Sequence, residues 1–170
     1  MSVIRCVEER DTSSLRAILA QQRHNPKKFD LEETDKYGNT PLLRACYLAK
    51  VEHADLLIRH GASLKAINYL GQNALTLATY AGSLDVVRLL LRYRSYTDFN
   101  KSSIVPALCV ACLRQNQTLI NFFKRFPATA EEVKTAHGLS PAQIRQWAEI
   151  YNKSRSAQGG PSSSAAYRMR

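Results

Sequence analysis

The chain carries the same message twice, 33 positions apart. Asp35-Lys36-Tyr37-Gly38-Asn39-Thr40-Pro41-Leu42 opens one segment, and Asn68-Tyr69-Leu70-Gly71-Gln72-Asn73-Ala74-Leu75 opens the next. The register holds past the openings: Ala45 aligns with Ala78, Tyr47 with Tyr80, Leu57 with Leu90 and Ile58 with Leu91. A unit this small cannot bury a core alone, so a fixed period of this kind specifies units stacked side by side. Stacked units present an extended surface to partners and rarely enclose an active site.

Each part of the unit has a local physical reason. Thr40 is placed to cap a first helix by accepting a backbone N–H bond. Pro41 suits the first helical position, where its missing donor costs nothing. Ala45 and Ala78 let neighbouring helices approach closely. Leu56-Leu57-Ile58 and Leu89-Leu90-Leu91 face neighbouring units as core, and Gly61 supplies a left-handed residue that ends a helix. The set Gly38-x-Thr40-Pro41-Leu42, Ala45-Cys46, Leu56-Leu57-Ile58 and His60-Gly61-Ala62 resembles the ankyrin repeat. So does Gly71, Ala74-Leu75, Leu77-Ala78-Thr79, Gly82, Val86-Val87 and Leu89-Leu90-Leu91. The resemblance implies an all-α solenoid of about four helix-turn-helix units with a C-terminal capping helix.

The boundaries follow from the register. Residues 1–34 read as a divergent N-terminal capping repeat. It has two short helices between Val3 and Arg23, with Leu15, Ile18 and Leu19 on the second, and a lengthened loop from His24 to Asp30. Residues 35–67 and 68–100 are the two clear repeats. Residues 101–127 are a divergent repeat that keeps Pro106-Ala107-Leu108, Ala111-Cys112, Leu119-Ile120 and Phe122-Phe123. Ile104 stands there in place of the turn glycine, and Pro127 in place of a second glycine.

Residues 128–152 read as a helical cap. Thr129–Glu132 has a capping-box pattern for a short helix closed by Gly138. Ser140-Pro141-Ala142-Gln143 is a second such pattern, echoing the repeat opening. Ile144, Trp147, Ala148 and Tyr151 then make one apolar face. That face is expected to seal the last repeat through Trp147, with partner docking by Trp147 as the alternative. Residues 153–170, rich in Ser and Gly and basic, read as a disordered tail.

Hydrophobic residues are 45% and charged residues 22% of the 170, the profile of a globular domain. No apolar run approaches the roughly 20 residues a membrane span needs, and the acidic N-terminus does not read as a secretion signal. An intracellular protein, cytoplasmic or nuclear, is expected. The formal net charge is +10, and residues 101–170 supply ten bases against three acids. Such a balance steers acidic proteins, nucleic acid or anionic surfaces.

The four cysteines, Cys6, Cys46, Cys109 and Cys112, read as buried thiols. Cys109-x-x-Cys112 lacks a second Cys/His pair at zinc spacing, and Cys112 shares its register with Thr79 and Cys46, a small-residue slot. No metal or cofactor is expected. His24, His53, His60 and His137 are scattered, and no Gly-rich phosphate loop or paired carboxylates suggest catalysis.

The function expected is therefore non-catalytic: an adaptor, scaffold or inhibitor that captures a segment of another protein. In proteins that resemble this one, partners lie across the turn tips and the concave face of the first helices. That implies Lys36, Tyr37, Asn39, Tyr47 and Leu48 in one unit, and Tyr69, Leu70, Gln72, Tyr80 and Ala81 in the next. The divergent unit contributes Ser102, Ser103, Val105, Leu113 and Arg114. Tyr47 and Tyr80 are expected to stack, and Arg114 to favour an acidic partner segment. Glu8 and Glu9 are aligned with the same face of the first unit. The alternative is nucleic-acid or anionic-surface binding through the basic C-terminal half and tail. Arg88, Arg92, Arg94, Lys124 and Arg125 are read as solvated charges on outer faces.

Overall fold

The computed structural model describes residues 2–9, 11–25, 29–126 and 134–157. Ten helices are found among them: α1 Val3–Glu8, α2 Thr12–His24, α3 Pro41–Tyr47, α4 Val51–Arg59, α5 Ala74–Ala81, α6 Leu84–Tyr93, α7 Tyr96–Lys101, α8 Ala107–Leu113, α9 Gln117–Phe123 and α10 Pro141–Ala157. The Thr129–Glu132 capping box and residues 158–170 of the tail lie outside the described residues.

The helices form a solenoid. First helices pack in the series α1, α3, α5, α8, α10, and each of the first four has an antiparallel second helix: α2, α4, α6 and α9. Caps were written in the sequence. Thr40 Oγ1 accepts from the Leu43 amide at 3.3 Å, with Pro41 following it. Asn73 Oδ1 accepts from the Thr76 amide at 3.0 Å. Ser140 and Gln143 form a reciprocal box, each side chain accepting from the other's amide.

The turns before the first helices repeat as closely as the helices do. Asp35 Oδ1 accepts from the Tyr37 and Asn39 amides, and Asn68 Oδ1 from the Leu70 and Gln72 amides. Thr135 Oγ1 accepts from the Leu139 amide at the same place in the last unit. Burial would raise the Asp35 carboxyl, but hydrogen bonds from Asn39 and from the Tyr37 amide outweigh it and hold it below the usual range. Successive turns are tied by backbone bonds: Tyr69 N to Tyr37 O at 3.0 Å, Ile104 N to Gly71 O at 3.2 Å, and Ala136 N to Ile104 O at 2.9 Å.

The core runs the length of the stack. Small residues sit where helices meet: Ala45, Ala78 and Ala111 are fully buried, as are Cys46 and Thr79, with Cys112 nearly so. All four cysteines are buried. Burial pushes Cys109 up to about 12 and raises Cys112 as well, the wrong direction for a reactive thiolate pair. In α10 the matching positions are Gln143, Arg145 and Gln146, all exposed. The last first helix thus closes the array with polar side chains.

Three features depart from the sequence reading. Helix α7 fills the place that Ser63–Asn68 occupies one unit earlier. Ser95 caps it, accepting from the Asp98 amide at 3.1 Å. Tyr96 and Phe99 are buried from it, and the Tyr96 ring packs 5.3 Å from Phe123 and 5.2 Å from Phe126. Arg94 is not a solvated outer charge. Its guanidinium donates to Leu64 O at 2.9 Å and to Asp98 O at 3.0 Å, tying two units together. Third, α10 continues to Ala157, past the boundary read at Asn152.

Two stability measurements check this account. Gly71 has φ +68°, and a Cβ there would lie 2.8 Å from the Ile104 side chain; Gly61 has φ +93° and open space around it. Gly71→Ala is expected to destabilise the chain by about 1–2 kcal/mol in urea titration, and Gly61→Ala by less, since only the backbone term applies. His53 is buried, with Nε2 lacking a hydrogen-bond partner among the described residues. Burial, with Lys50, lowers its pKa against the opposing pull of Glu52 and Asp11. Its folded pKa lies below the ordinary value of about 6.5, so unfolding takes up a proton in that window. Stability therefore falls as pH drops through the ordinary histidine value of about 6.5, and the part due to this group disappears in His53→Leu.

Candidate functional site

The register brings one side chain per unit onto the same side of the first helices. Tyr47 closes α3 and Tyr80 stands near the end of α5. Their rings stack with centroids 6.1 Å apart and an interplanar angle of 16°, as the period implied. Leu113 on α8 and Trp147 on α10 follow in the same series, both exposed. Arg114, beside Leu113, lies over the Tyr80 ring, 4.8 Å from its centre. At the other end Arg44 sits 5.6 Å from the Tyr47 ring centre. The result is a row of cation, ring, ring, cation running across three units.

The electrostatics of the row are uneven. Glu8 does lie at its N-terminal end, but it pairs with Arg44 at 2.8 Å, and Glu9 pairs with Arg5 at 2.6 Å. The acidic end is internally neutralised. Arg114 makes no ion pair among the described residues, so the C-terminal end of the row is positive. Arg44 was not anticipated. Its position one turn before Tyr47 on α3 was the available signal.

A second group lies on the turn tips. Lys36 Nζ is 5.0 Å from the Tyr37 ring centre. Among the described residues Tyr69 is the most open large apolar residue at 77% exposure, and it covers Gly38, where an added Cβ would meet its ring at 2.7 Å. Leu70 is exposed beside it.

Several expected residues are placed otherwise. Asn39 is buried at 8% exposure. It donates to Asp35 and accepts from Asn68 Nδ2 at 2.9 Å, so its side chain holds two turns together and is not presented to a partner. Gln72 Oε1 accepts from the same Asn68 amide at 3.0 Å. Leu48 and Val105 are half-buried against the core, while Ala81 is exposed. Ser102 and Ser103 support the turn by bonding to Asn73, Thr76 and Gly71 O.

Trp147 does not seal the last repeat. It is 63% exposed, and Ile144 and Ala148 make the buried contact with α8. The apolar face read from the sequence is wider than the strip that α8 covers. Trp147 and Tyr151 lie on the flank of that strip, with Ile150 also exposed.

Among the described residues, no group of three His, Cys, Asp or Glu is arranged to hold a metal ion. No helix among them is long and apolar enough to cross a membrane.

Residues 3–103 match the family model for ankyrin repeats (3 copies). The chain belongs to the ankyrin-repeat family. It is also 48% identical over 146 residues to a Drosophila melanogaster protein named DNA replication inhibitor plutonium, covering 85% of this chain and 83% of that one. It is 40% identical over 69 residues to mouse ankyrin repeat domain-containing protein 13B, which is 41% of this chain but 11% of that protein. Over 84 residues it is 30% identical to mouse protein fem-1 homolog A-like, 49% of this chain and 13% of the other. Ankyrin repeats are protein-interaction modules and in general are not enzymes.

The chain has one tryptophan, so its fluorescence reports Trp147 directly. Emission is expected at the wavelength of a solvent-exposed indole, with ready quenching by acrylamide. Blue-shifted emission that resists quenching would instead mean that Trp147 is packed into the last repeat.

Proposed function

We propose that this chain is a non-catalytic binding module that restrains DNA replication by holding a segment of another protein against the row Tyr47, Tyr80 and Arg114. The observation that carries the reading is the stacked pair of tyrosines with a guanidinium over the second ring, built from three successive units. Tyrosine gives a large, stiff apolar face with a polar end, and arginine a planar donor fork. Both residue types anchor interfaces at low entropic cost. Lys36, Tyr37, Tyr69 and Leu70 give the same partner a second contact at the turn tips. The similarity to a protein named as a DNA replication inhibitor, over most of both chains, supports the restraint of replication as its role. On this reading the chain acts inside the cell, in the nucleus.

Two assays test this. Used as bait in nuclease-treated extract, the full chain is expected to retain a protein that the Tyr47→Ala/Tyr80→Ala variant loses. Added to an extract that supports DNA synthesis, the wild type is expected to lower nucleotide incorporation while the double variant does not. Equal behaviour of the two chains in both assays overturns the reading. Binding that nuclease alone abolishes transfers the function to nucleic-acid contact through the basic half.

A further inference from the structure

The other first helices end near their register position for Tyr47: α3 at Tyr47, α5 at Ala81 and α8 at Leu113. Helix α10 does not stop there. It runs from Pro141 to Ala157, so residues 149–157 overhang the end of α8. The overhang is tied down where it passes the α8 terminus, Asn152 Nδ2 donating to Gln115 Oε1 at 3.1 Å. Between it and the tyrosine row lies an open groove of about 990 Å³. Trp147, Ile150 and Tyr151 form one wall, Leu113 and Tyr80 the other, and Ala148 lies between. Leu113, Trp147, Ile150 and Tyr151 are each more than half exposed.

We propose that this groove takes an acidic amphipathic helix of a protein partner. The proposal rests on the binding reading above and names the chemistry of the segment bound. Three observations select the occupant. The first is continuity, since Leu113 and Trp147 are the next members of the series Tyr47, Tyr80, one per unit. The groove is the C-terminal end of the same face.

The second is the spacing on the wall. Trp147, Ile150, Tyr151 and Ser154 stand at i, i+3, i+4 and i+7 on α10, the pattern that packs against another helix. An extended peptide would need a run of backbone partners, and the walls are helices, which use most of their amides and carbonyls internally and offer free carbonyls only at their ends. A helix satisfies its own backbone and needs only apolar side chains to fill the groove.

The third is charge. Arg114 lies over Tyr80, and Arg155 lies 5.8 Å from the Tyr151 ring centre, both lining the groove. Lys153 is exposed on the same overhang. The one carboxylate on described α10, Glu149, is held by Arg145 at 3.2 Å, on the side of the helix away from Trp147. Two cations on aromatic walls, in a chain of net charge +10, complement carboxylates flanking an apolar strip. They oppose two other occupants. A second copy would set Arg114 and Arg155 against their own kind, and residues 158–170 carry Arg168 and Arg170.

The experiment is a selection on the immobilised full chain from a display library of helix-forming peptides about four to five turns long, matching α10. Enriched sequences are expected to carry apolar residues at i, i+3 or i+4, and i+7, with Asp or Glu on the flanks. A synthesised winner is expected to shift the Trp147 emission to the blue. It should bind about tenfold or more weakly to Trp147→Ala/Tyr151→Ala. Selection on Arg114→Glu is expected to lose the acidic preference. Circular dichroism of each variant separates loss of binding from loss of fold.

The proposal fails if the winners lack acidic flanks or helical spacing. It fails if they bind the double variant as tightly as the wild type, or if oligothymidylate displaces them at equal concentration. Sedimentation showing self-association that Trp147→Ala abolishes would assign the groove to a second copy and would also overturn it. Tyr47 lies outside the groove, which keeps the two readings separable. Inhibition of replication that needs Tyr47 but not Trp147 or Tyr151 would leave the proposed function standing and remove this one.

Discussion

The close approach of successive first helices is the constraint on which the rest of the structure depends. Ala45, Ala78 and Ala111 are buried completely, and Cys46, Thr79 and Cys112 occupy a second small slot along the same helices. Small side chains at these positions let neighbouring backbones come near enough for the leucines of the second helices to share one core. They also fix the separation of the units. At that separation the turns can exchange backbone hydrogen bonds, and Tyr47 and Tyr80 can lie ring against ring. Larger residues in the slot would spread the units, and the face would lose its geometry before the helices themselves lost stability.

The interaction surface is a by-product of this repetition. A residue that points away from its own unit is brought into line with the same position of the next, so a single register choice yields a row. Here the row changes character along its length. Its N-terminal half is half-buried and its acids are internally paired, so it is rigid and nearly neutral. Its C-terminal half is open, apolar and positive. The change follows from which residues stand in the register position, tyrosine twice and then leucine and tryptophan, and from the length of α10.

Much of this was legible in the sequence because the period does the work of an alignment. Thr40 with Pro41, the left-handed Gly61, the buried cysteines and the stacking of Tyr47 on Tyr80 all follow from position within the unit. What escaped was whatever broke the period. Helix α7 replaces an irregular segment, and its signal, Ser95-x-x-Asp98 ahead of a buried Phe99, was present but lay where the repeat predicts none. Arg94 stands next to that helix, and one of its two carbonyl partners, Leu64 O, comes from another unit, which no local pattern reveals. Asn39 has the composition of a turn tip but the burial of a core residue, because the adjacent turn supplies Asn68. Trp147 shows a more general limit: periodicity identifies which side of a helix is apolar, not how much of that side a neighbour covers. Lys153–Ala157 has the composition of a tail, yet Ser154 and Ser156 donate back to the Tyr151 and Asn152 carbonyls and the helix continues.

The polar ending of the array has one more consequence. A stack of similar units has no inherent length, and any unit whose far side matches the near side of another could add to it. Such head-to-tail contacts do not close and lead to filaments. Gln143, Arg145 and Gln146 stand in α10 where the preceding first helices carry Leu43, Ala45 and Cys46 or their equivalents. Adding a further unit would bury two amides and a guanidinium in slots shaped for small side chains, which is unfavourable by several kcal/mol unless each finds a partner. Three side chains thus leave the outer side of α10 polar and poorly matched to a further unit of the same kind.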